Sequence, residues 1–157
     1  MDTQNLLRYS KNMRDVQLFP VSEYGMERLQ RIILPEEQLR YTRFSASTIP
    51  YEAAGNQWCF AIDQDGDCVG YLNAEEDFEG DLYIRKLVVA YSHQQMGIGT
   101  DAMEQFIQMA RSAGARFVML SVAYQNEGAE RFYRKLGFLG TELGLAEAGC
   151  KLLTLSL

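Results

Sequence analysis

Residues 82–110, LYIRKLVVAYSHQQMGIGTDAMEQFIQMA, constrain the fold more than any other stretch of the chain. Leu82, Ile84, Leu87, Val88 and Val89 make a run of strand formers broken only at Arg85 and Lys86, which predicts a largely buried strand. From Ile98 the apolar residues change period. Ile98, Ala102, Met103, Phe106, Ile107 and Ala110 fall three or four apart, the stripe of an amphipathic helix. With a glycine-punctuated turn between them, the unit is strand, turn, helix.

The turn runs Gln94, Gln95, Met96, Gly97, Ile98, Gly99, Thr100. Two glycines open backbone conformations closed to other residues and let a ligand approach the main chain. The first N–H groups of the next helix lack intrahelical partners and sit at its positive end, so the turn suits a pyrophosphate. A plain tight turn before a packed helix accounts for the same residues. A P-loop is excluded by the lack of Gly-Lys-Ser/Thr, and the dinucleotide fingerprint by Ala102 and Met103 where its third glycine should be.

A second segment, NEGAERFYRKLGF at 126–138, puts Ala129, Phe132, Tyr133 and Leu136 on one helical face and ends at Gly137, suited to a left-handed cap. Together the two regions resemble the GCN5-related N-acetyltransferase (GNAT) family. Gln94, Gly97 and Gly99 match its Arg/Gln-x-x-Gly-x-Gly/Ala turn. Asn126, Ala129, Tyr133, Gly137 and Phe138 match its Asn-x-x-Ala-x-x-x-Tyr-x-x-x-Gly-Phe segment. The likeness is dense from about residue 62 to 138 and thin before it.

The resemblance implies an α/β fold with a mixed sheet, a GNAT-like acyl-CoA N-acyltransferase in the order β-α-α-β-β-β-α-β-α-β-β. Acetyl-CoA is the implied cosubstrate, without a metal. Main-chain N–H groups from Gln95 through Met96, Gly97, Ile98 and Gly99 to Thr100 are expected to hold the pyrophosphate, behind Gln94. Leu87, Val88 and Val89 are expected to pair with the pantetheine arm as an extra strand would, with an N–H near Val88 meeting the thioester oxygen. The strand ending at Val89 and the one starting near Phe117 are expected to splay and open a slot. Tyr133 is the candidate general acid, since a phenol of ordinary pKa about 10 is protonated at neutral pH and a thiol's is about 8.5. Its place on the apolar stripe fits plain core packing too. Asn126 either contacts the pantetheine amide or caps its own helix. Arg134 and Lys135 either reach the adenosine 3′-phosphate or are simply solvated.

The general base departs from the family's common arrangement. Many relatives carry a glutamate four residues before the first pantetheine-pairing position, where this chain has Tyr83. A phenol is a poor base for an ammonium near neutral pH. A water relay ending at Glu75, Glu76 or Asp77, or an amine of lowered pKa, would replace it, while His93 sits beside the phosphate turn as a surface residue. Arg85 raises the prospect of a carboxylate on the acceptor.

Elsewhere the sequence is plainer. A strand is expected over 15–21, stopped at Pro20, then a helix from Ser22 as cap through Met26, Leu29, Ile32 and Ile33, and a second short helix after Pro35. In the resembling family such helices lie over the acceptor site. A hairpin pairs 58–62 with 68–72 across Asp65-Gly66. A calcium loop at Asp63, Asp65 and Asp67 fails, because Cys68 stands in place of its glycine and Ala74 in place of its final glutamate. The acidic run at Glu75, Glu76, Asp77, Glu79 and Asp81 reads as a solvated loop or as a lure for a cationic amine. Strands follow at 116–124 and 151–157, with 143–145 as the partner of the last.

At 157 residues the chain reads as one domain, 1–157, with residues 1–14 loosely held. A net charge of −6, from 15 basic and 21 acidic residues, argues against nucleic acid or an anionic membrane as a partner. No apolar run reaches membrane-span length, and the polar start lacks a signal-peptide core. Cys59, Cys68 and Cys150, odd in number and without CxxC spacing, point with a single histidine to the cytoplasm and away from a zinc site. The expected function is acetylation of a primary amine on a small molecule such as a polyamine or amino acid, with a homodimer among the assemblies the family allows. A non-catalytic acyl-CoA sensor and a protein lysine or N-terminal acetyltransferase are the alternatives.

Overall fold

The computed structural model describes residues 15–42, 44–55, 58–141 and 148–157. The expectations for residues 1–14 and for a strand at 143–145 fall outside them. In order come β1 (Val16–Pro20), α1 (Val21–Tyr24), α2 (Met26–Leu29), α3 (Glu36–Leu39), a 3-10 turn (Ala46–Thr48) and α4 (Ile49–Ala54). Then follow β2 (Cys59–Gln64), β3 (Asp67–Glu76), β4 (Leu82–Val89), α5 (Ile98–Ser112), β5 (Phe117–Ala123), α6 (Glu127–Lys135), β6 (Leu139–Gly140) and β7 (Cys150–Ser156). The strands form a seven-stranded mixed sheet, β1-β2-β3-β4-β5-β7-β6, in which only β4 and β5 pair in parallel.

The β2–β3 hairpin turns at Asp65 (φ 52°) and Gly66 (φ 93°), the two left-handed positions a two-residue turn needs to match strand twist. α5 buries all six residues of its predicted stripe against one face of the sheet, among Leu82, Ile84, Val118 and Leu120. The other face carries a second core of Leu29, Ile49, Ala61, Tyr71 and Val88 under the short helices.

Those short helices depart from the sequence reading. The helix expected from Ser22 through Ile33 is two single turns split at Gly25, whose φ of 103° no helix tolerates, and it ends at Leu29. Ser22 lies inside α1 and does not cap it. α4 was not anticipated, because its six residues bury only Ile49 and carry no readable period. Asp81, read as part of a solvated loop, is 3% exposed. Its carboxylate accepts from the Arg116 and Phe117 N–H groups at 2.9 and 3.2 Å and from the Arg116 guanidinium at 2.7 Å, fixing the start of β5. Those donors hold the Asp81 carboxyl below its ordinary range, against the opposing pull of desolvation.

Candidate active site

β4 carries the irregularity that shapes the site. Asn73 pairs with Lys86 but Ala74 pairs with Ile84, so Arg85 is an extra residue, a bulge. Leu82 and Ile84 face α5 before it. After it the parity flips: Leu87 and Val89 face α5, and Val88 joins the opposite core. The bulge thereby changes which side chains of β4 meet each layer, while pairing to β3 resumes on either side of it. At Gly70, opposite Val89, a Cβ would lie 2.4 Å from the Val88 carbonyl oxygen, so β3 approaches this part of β4 as only glycine permits.

Pairing between β4 and β5 stops after three residue pairs, the last being Ile84 with Leu120. Beyond it the strands separate around a cavity of about 380 Å³. One wall is residues 84–89 of β4, another is 120–123 of β5. α6 contributes Ala129 and Tyr133 with Asn126 before it, and Leu34, Glu37, Gln38, Tyr41 and Thr42 form a roof. The splayed slot that the family resemblance implied is therefore present. Where it begins, the Tyr83 hydroxyl and the Ser121 hydroxyl hydrogen-bond across the two strands, and the Arg85 guanidinium lies over the Tyr83 ring, 4.6 Å from its centroid.

The glycine turn lies past the end of β4. Gly97, at φ 80°, is the left-handed residue that starts α5, and Gln95 has φ 60° although it is not glycine. Gln95 and Met96 are exposed, while Ile98 is buried in the core beneath. Gly99 faces the Phe132 ring, which a Cβ there would meet at an ordinary contact distance of 3.4 Å. The Gln94 side chain does not extend with the turn: its Nε2 donates to the Val89 carbonyl at 2.9 Å.

Tyr133 projects from α6 into the slot, its ring edge-on to Phe132 and Phe138 at centroid separations of 5.0 and 5.5 Å. Core packing and a place at the cavity wall thus coexist. Desolvation pushes its phenol well above the ordinary range, and among the described residues no hydrogen bond engages its hydroxyl. Asn126 caps α6, accepting from the Ala129 N–H at 3.3 Å, and also borders the slot, so its two readings are compatible. Arg134 pairs with Glu130 at 3.3 Å on the exposed side of α6.

Of the acids considered as base, Asp77 is engaged in its own turn, accepting from the Glu79 and Asp81 N–H groups at 2.9 and 3.0 Å. Glu75 pairs with Arg85 at 3.0 Å. Glu75 and Glu76 line a second, wider cleft of about 860 Å³, together with Asn73, Tyr51 and Glu52. His93 hydrogen-bonds Ser92 and is not part of either lining.

Glu52 escaped the sequence reading. It accepts from Lys86 (2.8 Å), Thr48 (2.9 Å), Asn73 (2.7 Å) and Tyr71 (3.2 Å), tying α4 to the sheet between the two cavities. Desolvation would raise its pKa, but the donors from Lys86, Asn73 and Thr48 prevail and lower it. With its four lone-pair sites occupied, this carboxylate is a strut and has little capacity left for a substrate. Ser121 was missed as well. Its one signal was a hydroxyl within an otherwise apolar strand.

Comparison with known proteins agrees with this architecture. The chain is 31% identical over 83 residues to a probable N-acetyltransferase, camello, of Xenopus tropicalis, covering 51% of this chain and 38% of that protein. It is 32% identical over 96 residues to an uncharacterised N-acetyltransferase of Methanocaldococcus jannaschii, covering 52% and 42%. These matches therefore span less than half the length of either relative. In three dimensions it is similar to PaiA N-acetyltransferase of Thermoplasma acidophilum, solved in complex with coenzyme A, with a TM-score of 0.71 at 14% identity over 92% of this chain and 99% of that one. A sequence model of the acetyltransferase (GNAT) family matches residues 25–138, from Gly25 between the first two short helices to Phe138 just past the helix of Tyr133, and the chain belongs to that family.

Proposed function

We propose that the protein is an acetyl-CoA-dependent N-acetyltransferase that acetylates the primary amine of a small molecule, such as a polyamine or an amino acid, by direct attack on the thioester. The observation carrying this reading is the fork between β4 and β5, with Tyr133 on its wall and a left-handed glycine turn at its far end. Strand edges left without each other suit an arm bearing amide groups. The turn and the start of α5 suit a diphosphate. Residues 87–89 would pair with the arm, and N–H groups of residues 95–100, next to Gln94, would hold the phosphates. Asn126 would border the arm.

Bound acetyl-CoA supplies the acetyl group and a thiolate leaving group. An N–H near Val88 would donate to the acyl oxygen as negative charge develops there. Tyr133 would donate its proton to the departing sulfur. Its raised pKa keeps the phenol protonated through the neutral range, and the same desolvation disfavours a free thiolate, so the two groups stay matched inside the slot. The acceptor's proton would leave by water toward Glu75 or Glu76 in the adjoining cleft, whose acidic lining favours a cation. Free cysteines at 59, 68 and 150 support a place in the cytoplasm. No helix among the described residues is long and apolar enough to cross a membrane.

Thiol release from acetyl-CoA, measured against a panel of amines, amino acids and peptides, tests the reading. Tyr133→Phe should lower kcat about 100-fold while leaving coenzyme A affinity within about threefold. Equal turnover removes Tyr133 from the reaction. Cofactor binding without release from any acceptor makes the protein a sensor, and release with peptides alone makes its acceptor a protein.

A further inference from the structure

α3 is a single turn with no buried side chain. A turn of that length has no stability of its own, so its position depends on what it touches. Gln38 and Gln94 exchange a reciprocal pair of amide hydrogen bonds: Gln38 Nε2 donates to Gln94 Oε1 at 2.8 Å, and Gln94 Nε2 donates to Gln38 Oε1 at 2.7 Å. The same Gln94 amide donates to the Val89 carbonyl. One side chain therefore joins the end of β4, the first residue of the glycine turn and the roof of the slot. Its neighbour Gln95 holds a left-handed conformation that costs a residue with a Cβ about 1 kcal/mol. An anion received by the turn's N–H groups would stabilise that conformation and, with it, the placement of Gln94.

We infer that Gln38 and Gln94 form a latch through which occupancy of the glycine turn fixes α3 over the slot, so that cofactor binding completes the roof beneath which an acceptor is received. Gln38 is a positioning residue: it acts through Gln94. The inference rests on coenzyme A occupying the turn, and the latch can fail while that reading stands.

Hydrogen exchange of the full chain, with and without coenzyme A, reads the latch at the amides of residues 38, 39, 41 and 42, all bonded within this turn. Coenzyme A should slow their exchange about tenfold in the wild type, as expected if a filled turn makes the latch's two neutral hydrogen bonds open less often. In Gln38→Leu the ligand effect should fall below about twofold. Gln38→Glu, which keeps the bond from Gln94 Nε2 but loses the reciprocal donor, should recover part of it. By reciprocity, Gln38→Leu should also weaken coenzyme A binding, by up to about tenfold in calorimetry. A merely structural Gln38 would speed exchange equally in both ligand states, and that result overturns the latch. So does exchange in the wild type that ignores a coenzyme A whose binding heat is plain. Absence of binding heat in the wild type overturns the cofactor reading and the latch together.

Discussion

The two halves of the molecule are built differently. From β4 through α6, longer elements carry the structure: α5 runs fifteen residues and buries six, and the strands on both sides of it, β4 and β5, run eight and seven residues. From α1 through α4 no helix exceeds six residues, and these turns are held by one or two buried side chains each, Val21, Tyr24, Leu29 and Ile49, or by polar contacts to distant parts of the chain, Glu52 to Lys86 and Gln38 to Gln94. Periodic burial makes one half a rigid frame, whereas the other is a cover fastened at a few points. A frame of this kind can hold a cofactor in fixed geometry, and a fastened cover can be refitted to a different acceptor without disturbing it.

Substitutions can break that contrast. The largest effect is expected for Asp81→Ala in the frame, which strands the N–H groups opening β5 and should cost about 3 kcal/mol, lowering Tm by about 6–12 °C in thermal unfolding. The Asp81 carboxyl titrates lower when folded than when unfolded. Its contribution is thus complete above the unfolded carboxylate pKa of about 3.9 and is lost as pH falls through the lower folded value. Asp81→Asn should accordingly flatten the fall in stability below about pH 5. Gly70→Ala comes next, at about 2 kcal/mol, because a methyl against the Val88 carbonyl must push β3 from β4. It should also weaken coenzyme A binding, and an unchanged Tm would show that the strands yield more easily than a frame should.

Glu52→Gln sharpens the comparison. Losing the ion pair to Lys86 should cost about 1 kcal/mol and speed hydrogen exchange in α4 while α5 stays protected. A fall in Tm as large as that of Asp81→Ala would erase the distinction between frame and cover. The smallest effect is expected for Ser121→Ala, which removes the bridge to Tyr83 and should shift stability by no more than about 1 kcal/mol, with thermal unfolding as the measure.

What the sequence disclosed follows the same division. The stripe Ile98, Ala102, Met103, Phe106, Ile107, Ala110, the Asp65-Gly66 turn and the run 82–89 each express a local rule repeated often enough to read, and the described structure bears them out. The splay of β4 from β5 came through family resemblance, since no local rule encodes where a parallel ladder stops. Glu52 and Lys86 are 34 residues apart, and Gln38 and Gln94 are 56 apart, so nothing near either member names its partner. The bulge at Arg85 and the break at Gly25 are single-residue events, invisible to a periodicity. Asp81 misled because an acidic run suggests solvent, while burial of one member depended on Arg116 arriving from the far end of α5.

A parallel ladder that stops after three residue pairs leaves two strand margins facing each other inside the molecule. Exposed margins elsewhere in β-proteins invite pairing with other chains and, from there, fibrils. Here they line a cavity of about 380 Å³ that side chains of α3 and α6 also border. A slender, flexible thread can enter where a neighbouring molecule cannot, so the shape that admits the ligand also guards the protein against self-templating.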